Sequence, residues 1–288
     1  MPADRPVPQP QPQPWLSGPG VPRIVAHRGS SAEIPEHTLA AYQQAIDDGA
    51  DALECDVRLT ADGVLVCVHD RKVNRTSNGR GVVSTLELAD LAELDFGSWR
   101  ETWEDFEEPA VIDDARRSVL TLEMLLDLVA DSGRPVELAI ETKHPTRYAG
   151  LVEERLVGLL DRYGWAHPRL GRGTPVRVMS FSMLSMRRMR RLAPSVPTVF
   201  LMERVPVRMR DGSLPPGVRI AGPAIEIIRA FPRYVEKVHA RGHQVHVWTV
   251  DDPHDVLLCA DLGVDVIITN RPAEVRRQLA GHTPRAGG

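Results

Sequence analysis

The stretch from Ile24 to Asp70, IVAHRGSSAEIPEHTLAAYQQAIDDGADALECDVRLTADGVLVCVHD, decides how the chain folds. Its first apolar run ends at His27, and its second carries Glu54 and Asp56. The segment between these runs, PEHTLAAYQQAIDDG, has the apolar spacing of a helix. A third short run ends at His69. The stretch therefore predicts a strand–helix–strand unit with polar side chains where the strands end.

Short apolar runs continue to alternate with amphipathic segments along the rest of the chain. The eight runs are PRIVAHR, DALECDV, PVELAIET, PVRVMSF, VPTVFLM, GVRIAGP, QVHVWTV and VDVIITN. Strands that alternate with helices predict parallel βαβ units, and eight such units indicate an α/β fold, the (β/α)8 TIM barrel. Only the interval between the fifth and sixth runs lacks an obvious helix.

The segment VLVCVHD at 64–70 is a ninth candidate strand. Only LTADG separates it from the second run, which is too short for a parallel crossover. Asp-Gly is a hairpin turn signal, so we predict a small insertion after the second barrel strand, continued by residues 71–118. The Pro- and Gln-rich residues 1–20 are predicted to be a disordered tail and 282–288 a loose one, leaving a single barrel domain over 21–281.

Composition excludes several classes of protein. The chain has 288 residues and a formal net charge of -4, whereas nucleic-acid binders usually carry a basic excess. No apolar run approaches the roughly 20 residues that span a bilayer, so no stable membrane insertion is expected. The three cysteines form no C-x-x-C motif, and the N-terminus does not resemble a signal peptide. These features predict a cytoplasmic protein and leave its oligomeric state open.

Polar residues accumulate at the carboxyl ends of the predicted strands, which form the active-site mouth of a (β/α)8 barrel. Glu54 and Asp56 are two apart on a strand, so their side chains leave the same face. Paired carboxylates repel each other unless a positive charge lies between them. Glu141, at the end of the next barrel strand, is a natural third ligand, and oxygen ligands suit Mg²⁺ or Ca²⁺. The alternative is a set of salt-bridged rim residues.

Histidine and basic residues add further chemistry to the predicted mouth. His27 and His69 are candidates for general acid and base, because imidazole titrates near neutral pH. Arg28 and Lys143 bring positive charge that suits a phosphate, although Lys143 has the alternative role of a carboxylate partner. His246 shares a strand face with the aromatic residue at 248 and is interpreted as support for the site.

At this point the motifs match a known family, because the chain resembles the glycerophosphodiester phosphodiesterases. The matching segments are AHRG at 26–29, PEHT at 35–38, GADALECDVRLTADGVLVCVHD at 49–70, RTSNGRG at 75–81, ELAIETK at 137–143, MSF at 179–181, VWTV at 247–250 and GVDVIITNRP at 263–272. They run in family order across the predicted barrel. The combination of HRG, E-x-D and HD is specific, whereas any one piece alone is weak.

The resemblance implies metal-dependent hydrolysis of a small-molecule glycerophosphodiester to sn-glycerol 3-phosphate and an alcohol. It implies that His27 and His69 are the acid–base pair. The other implied positions are the ligands of a divalent metal (Glu54, Asp56 and Glu141), the phosphate contacts (Arg28 and Lys143) and an aromatic residue near the substrate (Trp248). The chain departs from the family at His37, where Asn is common, and at Asn270, where Asp is frequent.

Other interpretations stay open at this stage. A phospholipase C- or D-like lyase that acts on lipid phosphodiesters shares the two-histidine logic, and a non-catalytic sensor of phosphorylated ligands would use the same barrel. The basic segment MLSMRRMRRL at 183–192 has the composition of a membrane-surface helix, but we favour an ordinary barrel helix with Met and Leu inward. The acidic and aromatic loop at 96–114 is either a lid that selects the head group or a solvated rim loop.

Overall fold

In the part of the chain that the structure describes, nine strands form one sheet, and eight of them run parallel and close it into a barrel. The computed structural model describes residues 21–100, 114–144, 150–169 and 173–282. In chain order the strands are β1 (Arg23–His27), β2 (Ala52–Leu59), β3 (Leu65–Cys67), β4 (Glu137–Thr142), β5 (Val176–Ser180), β6 (Thr198–Met202), β7 (Ile220–Pro223), β8 (Gln244–Val247) and β9 (Val266–Thr269). Strand β1 pairs in parallel with both β2 and β9, which closes the ring.

Helices follow the barrel strands and cover the outside of the ring. They are α1 (Leu39–Asp47), α2 (Leu88–Ala92), α3 (Asp114–Arg117), α4 (Leu122–Ala130), α5 (Leu151–Arg162), α6 (Met183–Leu192), α7 (Ile225–Ala230), α8 (Tyr234–His239), α9 (Pro253–Asp261) and α10 (Pro272–Ala280). Between β6 and β7 the chain forms only a short 3-10 helix, Val207–Met209, in the interval predicted to lack a helix. Helix α7 was not predicted.

The TIM barrel and its insertion after the second strand are confirmed. Each of the eight apolar runs contains one parallel strand, and β3 pairs antiparallel with β2 as a hairpin. The turn of this hairpin contains Gly63 with φ of 87°, and Thr60 N donates to the carbonyl of Val64 at 2.9 Å. The tail 1–20, the C-terminal residues 283–288 and residues 101–113 of the acidic loop lie outside the described residues.

The alternation of side chains along the strands divides the core into two parts. One face of the strands lines the barrel interior with a separate apolar cluster, Val25, Ala52, Ala139, Met179, Val199, Leu201, Ile220, Val266 and Ile268. The other face packs against the helices in the larger cluster. Because both faces are buried, the strands lack a polar face and read as continuous apolar runs.

The loop after β1 is fixed against α1. Gly29 has φ of 88°, and a Cβ there would lie 2.7 Å from the backbone of Ala41, so only glycine fits. Thr38 caps α1 by accepting from Ala41 N at 3.2 Å. These contacts hold the residues after β1 at the carboxyl end of the barrel.

Candidate active site

Three carboxylates meet at the carboxyl end of the barrel. Glu54 and Asp56 lie on β2, and Glu141 is the register partner of Asp56 on β4. One oxygen of each carboxylate lies within 4.8 Å of the others. All three residues are buried. The three residues expected to bind metal therefore form one cluster, which we call the acidic cluster.

Cations hold Asp56 from two sides. Lys143 Nζ lies 2.9 Å from Asp56 Oδ1 and 2.9 Å from Glu141 Oε1. Arg28 Nε lies 2.9 Å from Asp56 Oδ2. Burial by itself raises the pKa of Asp56, but Lys143, a hydrogen bond from His37 and Arg28 outweigh it and hold the pKa well below its usual range. Asp56 is therefore the permanently ionised member of the acidic cluster.

The other two carboxylates, Glu54 and Glu141, are harder to ionise than Asp56. Burial, followed by the charge of Asp56, raises the pKa of Glu141 to about 8 and also raises the pKa of Glu54. Three oxygen donors this close together, two of them resisting ionisation, fit a divalent cation, because its charge would stabilise all three carboxylates. The acidic cluster could thus hold a metal ion.

His27 is oriented from behind by a side-chain amide. Its Nδ1 lies 2.7 Å from Asn270 Oδ1. The amide of Asn270 is itself oriented, because its Nδ2 donates to Asp251 at 2.5 Å and its Oδ1 accepts from Ser31 at 2.7 Å. His27 Nδ1 is therefore the donor, and Nε2, which is 3.9 Å from Glu54 Oε2, carries the lone pair. Burial and then the charge of Arg28 lower the pKa of His27 to about 4.

His69 follows β3 and is held by a carboxylate instead. Its Nδ1 lies 2.7 Å from Asp70 Oδ1. Its carbonyl accepts from Arg58 Nε and Nη2 at 3.0 and 2.6 Å, which fixes the backbone of the hairpin end. Burial lowers the pKa of His69, and the charge of Asp56 and the hydrogen bond with Asp70 partly oppose this. The side chain is 35% exposed, so it reaches solvent at the mouth.

A cavity of about 300 Å³ opens beside the acidic cluster. His69, Glu141, Lys143 and Phe181 are among the residues that line it. The ring of Phe181 meets that of Trp248 edge to face at 5.4 Å, and Trp248 Nε1 donates to the carbonyl of Gly222 at 2.7 Å. The mouth thus combines carboxylates, cations and an aromatic wall, as expected for a site that binds a polar molecule with an organic group.

Comparison with known proteins agrees with this geometry. The model of the glycerophosphoryl diester phosphodiesterase family matches residues 27–274. The chain belongs to this family. A relative from Mycobacterium tuberculosis (strain CDC 1551 / Oshkosh), named "Probable glycerophosphodiester phosphodiesterase 1", is 44% identical over 90% of this chain and 93% of its own length.

Two further relatives of this family member are similar over most of their length. The glycerophosphodiester phosphodiesterase of Bacillus subtilis (strain 168) is 36% identical over 86% of this chain and 83% of that protein. The crystal structure of a glycerophosphodiester phosphodiesterase from Agrobacterium tumefaciens str. C58 superposes with a TM-score of 0.68 at 26% identity, covering 89% of this chain and all of that one. As a glycerophosphodiester phosphodiesterase, the chain is a phosphoric diester hydrolase.

Sequence reasoning missed the role of His37 in this phosphodiesterase. Its Nε2 lies 3.0 Å from Asp56 Oδ2, and its Nδ1 lies 2.8 Å from the hydroxyl of Tyr42, which donates to the carbonyl of Glu54 at 3.0 Å. His37 and Arg28 both have positive φ, 61° and 59°, which is costly for residues other than glycine. The backbone is thus bent so that both side chains reach Asp56.

A chain of ion pairs across the rim was also missed. Arg28 Nη1 lies 3.0 Å from Glu36, and Arg75 bridges Glu36 at 2.8 Å and Asp70 at 2.7 Å. Asp70 in turn holds His69. Arg75 and Glu36 lie in the RTSNGRG and PEHT segments. The motifs therefore contained both residues, but they did not indicate that the side chains form ion pairs. The chain connects the loop after β1 with the hairpin that carries His69.

The interpretation of His246 as support for the mouth is wrong. Its two ring nitrogens lie 2.9 and 2.7 Å from Arg177 Nη1, deep inside the barrel. Arg177 is the second residue of β5 and Glu137 is the first residue of β4, and both are buried near the amino ends of their strands. His246 shares a face with Trp248, but two residues along a strand separate them by about 6.6 Å, which is one layer of the barrel.

Helix α6 differs in part from the predicted packing. Met186 and Met189 are buried, as predicted, whereas Leu184 is 58% exposed. Within the part of the chain that the structure describes, none of the helices is long and apolar enough to cross a bilayer.

Proposed function

We propose that this chain hydrolyses glycerophosphodiesters to sn-glycerol 3-phosphate and an alcohol, with His27 and His69 as the acid–base pair. The observation that carries the proposal is the pair of imidazoles held by unlike partners around a buried acidic cluster. Homologues named for this activity support the substrate class.

A divalent cation, Mg²⁺ or Ca²⁺, would be held by Glu54, Asp56 and Glu141. All three donors are hard oxygen atoms, which these two ions prefer. Such an ion supplies Lewis acidity toward a phosphoryl oxygen. Lys143 lies 2.9 Å from two of the carboxylates and partly neutralises the charge of the acidic cluster.

The partners of the two histidines support an assignment of their roles. His27 is half-buried, has its pKa lowered to about 4 and presents an unprotonated Nε2, so it is free to accept a proton at neutral pH. His69 has a carboxylate behind Nδ1 that opposes the lowering of its pKa by burial, and it is the more solvent-exposed of the two imidazoles, so it is the better placed to be protonated as a general acid. We therefore assign His27 as the base that activates the nucleophile and His69 as the acid that protonates the leaving alcohol.

Arg28 and Lys143 would contact the phosphate, and Trp248 would pack against the organic part of the substrate. Arg28 is pinned by Asp56 and Glu36, so its guanidinium is oriented before the substrate arrives. Lys143 lines the mouth cavity together with His69. The nucleophile is water or the glycerol hydroxyl adjacent to the phosphate, and capture of a cyclic phosphate product distinguishes the two.

The decisive experiment is turnover of glycerophosphocholine, followed as release of choline and sn-glycerol 3-phosphate. Treatment with EDTA should abolish turnover, and Mg²⁺ or Ca²⁺ should restore it, whereas Asp56→Asn should remain inactive with either ion. Intact phosphatidylcholine and lysophosphatidylcholine are the comparison substrates. Faster cleavage of the intact lipids than of glycerophosphocholine would support a phospholipase-like enzyme and overturn the proposal.

A further inference from the structure

One segment of the chain has a charge opposite to that of the whole. Residues 181–210 contain seven arginines and a single acid, Glu203, and so carry a net charge of +6, whereas the chain carries -4. Arg187, Arg204 and Arg208 are exposed. The segment spans α6, β6 and the 3-10 helix that follows β6. These elements are neighbours, so the basic segment forms one continuous part of the barrel wall.

Apolar side chains are exposed in the same segment. Phe181 is 41% exposed, Leu184 is 58% exposed and Val207 is 78% exposed, and these are half of the six large apolar residues that are exposed in the described part of the chain. Phe181 follows β5 and Val207 follows β6, and these strands are neighbours in the barrel. All three residues therefore lie at the carboxyl end of the barrel, where Phe181 also lines the mouth cavity.

One contact links the two ends of this segment. Arg208 Nη2 lies 3.2 Å from the sulfur of Met183, which links the 3-10 helix to the first turn of α6. Leu184 and Arg187 are three apart on α6 and share its outer face, while Ser185, Met186 and Met189 are buried on the inner face. We call Phe181, Leu184, Arg187, Val207 and Arg208 the basic–apolar surface.

We propose that the basic–apolar surface docks the mouth of the barrel onto an anionic lipid bilayer. Exposed leucine and valine beside arginines match the interfacial region of such a bilayer, where apolar groups enter between head groups and arginines pair with phosphates. A nucleic acid would satisfy the arginines but would leave Leu184 and Val207 in water. Docking requires no membrane-spanning helix, and it goes beyond the hydrolytic reaction itself.

Docking would bring the mouth close to the source of its substrate. A glycerophosphodiester is the polar part of a phospholipid whose acyl chains have been removed, so a deacylation reaction must supply it. Phe181 belongs both to the basic–apolar surface and to the lining of the mouth cavity. Molecules released at the bilayer would therefore meet the cavity over a short distance.

The test is co-sedimentation of the full chain with vesicles of phosphatidylcholine alone or mixed with phosphatidylglycerol. The wild-type chain should bind only the mixed vesicles, and salt should weaken binding. Arg187→Glu with Arg208→Glu should weaken binding at least roughly 30-fold, taking about five-fold for each arginine removed. Leu184→Ser with Val207→Ser should weaken binding roughly 10-fold through the loss of buried apolar area.

A matched control reverses two exposed arginines at the other end of the barrel. Arg219 precedes β7 and Arg277 lies in the last turn of α10, and both are exposed. Arg219→Glu with Arg277→Glu changes the net charge equally and should leave vesicle binding unchanged. Turnover of soluble glycerophosphocholine checks that every variant is folded, and vesicle binding can be measured even if the chain does not cleave this substrate.

Three outcomes would overturn the docking proposal. The first is equal binding of the wild-type chain to both kinds of vesicle. The second is a loss of binding in the control as large as that in the Arg187→Glu, Arg208→Glu variant. The third is a failure of the wild-type chain to bind anionic vesicles, and self-association or DNA binding that this variant removes would then identify a different partner for the surface.

Discussion

His27 and Asn270 are joined by a contact of 2.7 Å between Nδ1 and the amide oxygen, although 243 positions separate them in the chain. The contact forms because β1 and β9 are neighbours where the barrel closes. It selects the tautomer of His27 that leaves Nε2 facing the acidic cluster. The residue that follows the last strand thus orients the first candidate catalytic group.

Replacing Asn270 by Ala should lower kcat roughly 10-fold, because His27 would lose the partner that fixes its tautomer and ring orientation, while its general-base capacity would remain. The effect on KM should be small. Steady-state kinetics on glycerophosphocholine, with thermal unfolding as a check on folding, measure both. Asn74→Ala, in the insertion, is the matched control. An unchanged kcat in Asn270→Ala would contradict the orienting role.

The two histidines should be distinguishable by the leaving group. His27→Asn and His69→Asn should each lower kcat for glycerophosphocholine by roughly 10²–10⁴-fold. With a p-nitrophenyl ester of glycerophosphate the leaving group needs no proton, so His69→Asn should recover most of its activity and His27→Asn should not. The exposed His254→Asn is the matched control. Recovery in His27→Asn instead would reverse the assigned roles.

The sequence predicted both the barrel and the meeting of the three carboxylates of the acidic cluster. Parallel strands end at the same edge of the sheet, so Glu54, Asp56 and Glu141 had to meet once the strand order was known. The apolar pattern alone did not predict how deep in the barrel each side chain lies, because both faces of these strands are apolar. His246 was therefore assigned to the correct face but to the wrong layer.

The sequence also did not predict contacts that depend on unusual backbone conformations. His37 reaches Asp56 only because its own φ is positive, and no spacing rule predicts that conformation for a histidine. The exposure of Leu184 depends on how α6 is rotated against β5 and β6. Helical periodicity predicts which face of a helix is buried. Leu184 lies in the first turn, at the edge of the packed region, so this prediction does not hold for it.

Metal binding should release protons at neutral pH. The pKa of Glu141 is about 8 and that of Glu54 is also raised, so the metal-free acidic cluster carries protons that a cation must displace. Binding of Mg²⁺ or Ca²⁺ at neutral pH should release roughly one proton or more. Calorimetry in two buffers of different ionisation enthalpy measures this number.

The release should shrink as the pH rises above the Glu141 pKa of about 8, and the affinity for metal should increase over the same range. Glu141→Gln removes one titrating group and should release fewer protons for each ion that still binds. If the wild-type chain releases no protons at neutral pH, Glu54 and Glu141 are already ionised in the metal-free chain, and their pKa values are not raised.

Stability should depend on pH through Glu137, at the opposite end of the barrel. Its carboxylate pairs with Arg23 at 2.8 Å, but burial outweighs this pairing and raises its pKa from 4.5 to about 7. Between these two pH values the folded chain holds a proton that the unfolded chain has lost. The free energy of unfolding contributed by Glu137 therefore falls as the pH rises through this window.

The buried His246 acts in the opposite sense, because burial and then Arg177 lower its pKa, and its contribution to stability is lost as the pH falls. The difference between the wild-type chain and Glu137→Gln isolates the carboxylate, since His246 is present in both. This difference should change by roughly 3 kcal/mol across the window, as measured by urea unfolding at several pH values. The exposed Glu154→Gln is the matched control and should give a constant difference. A constant difference for Glu137→Gln as well would mean that Glu137 is ionised throughout, with Arg23 outweighing the cost of burial.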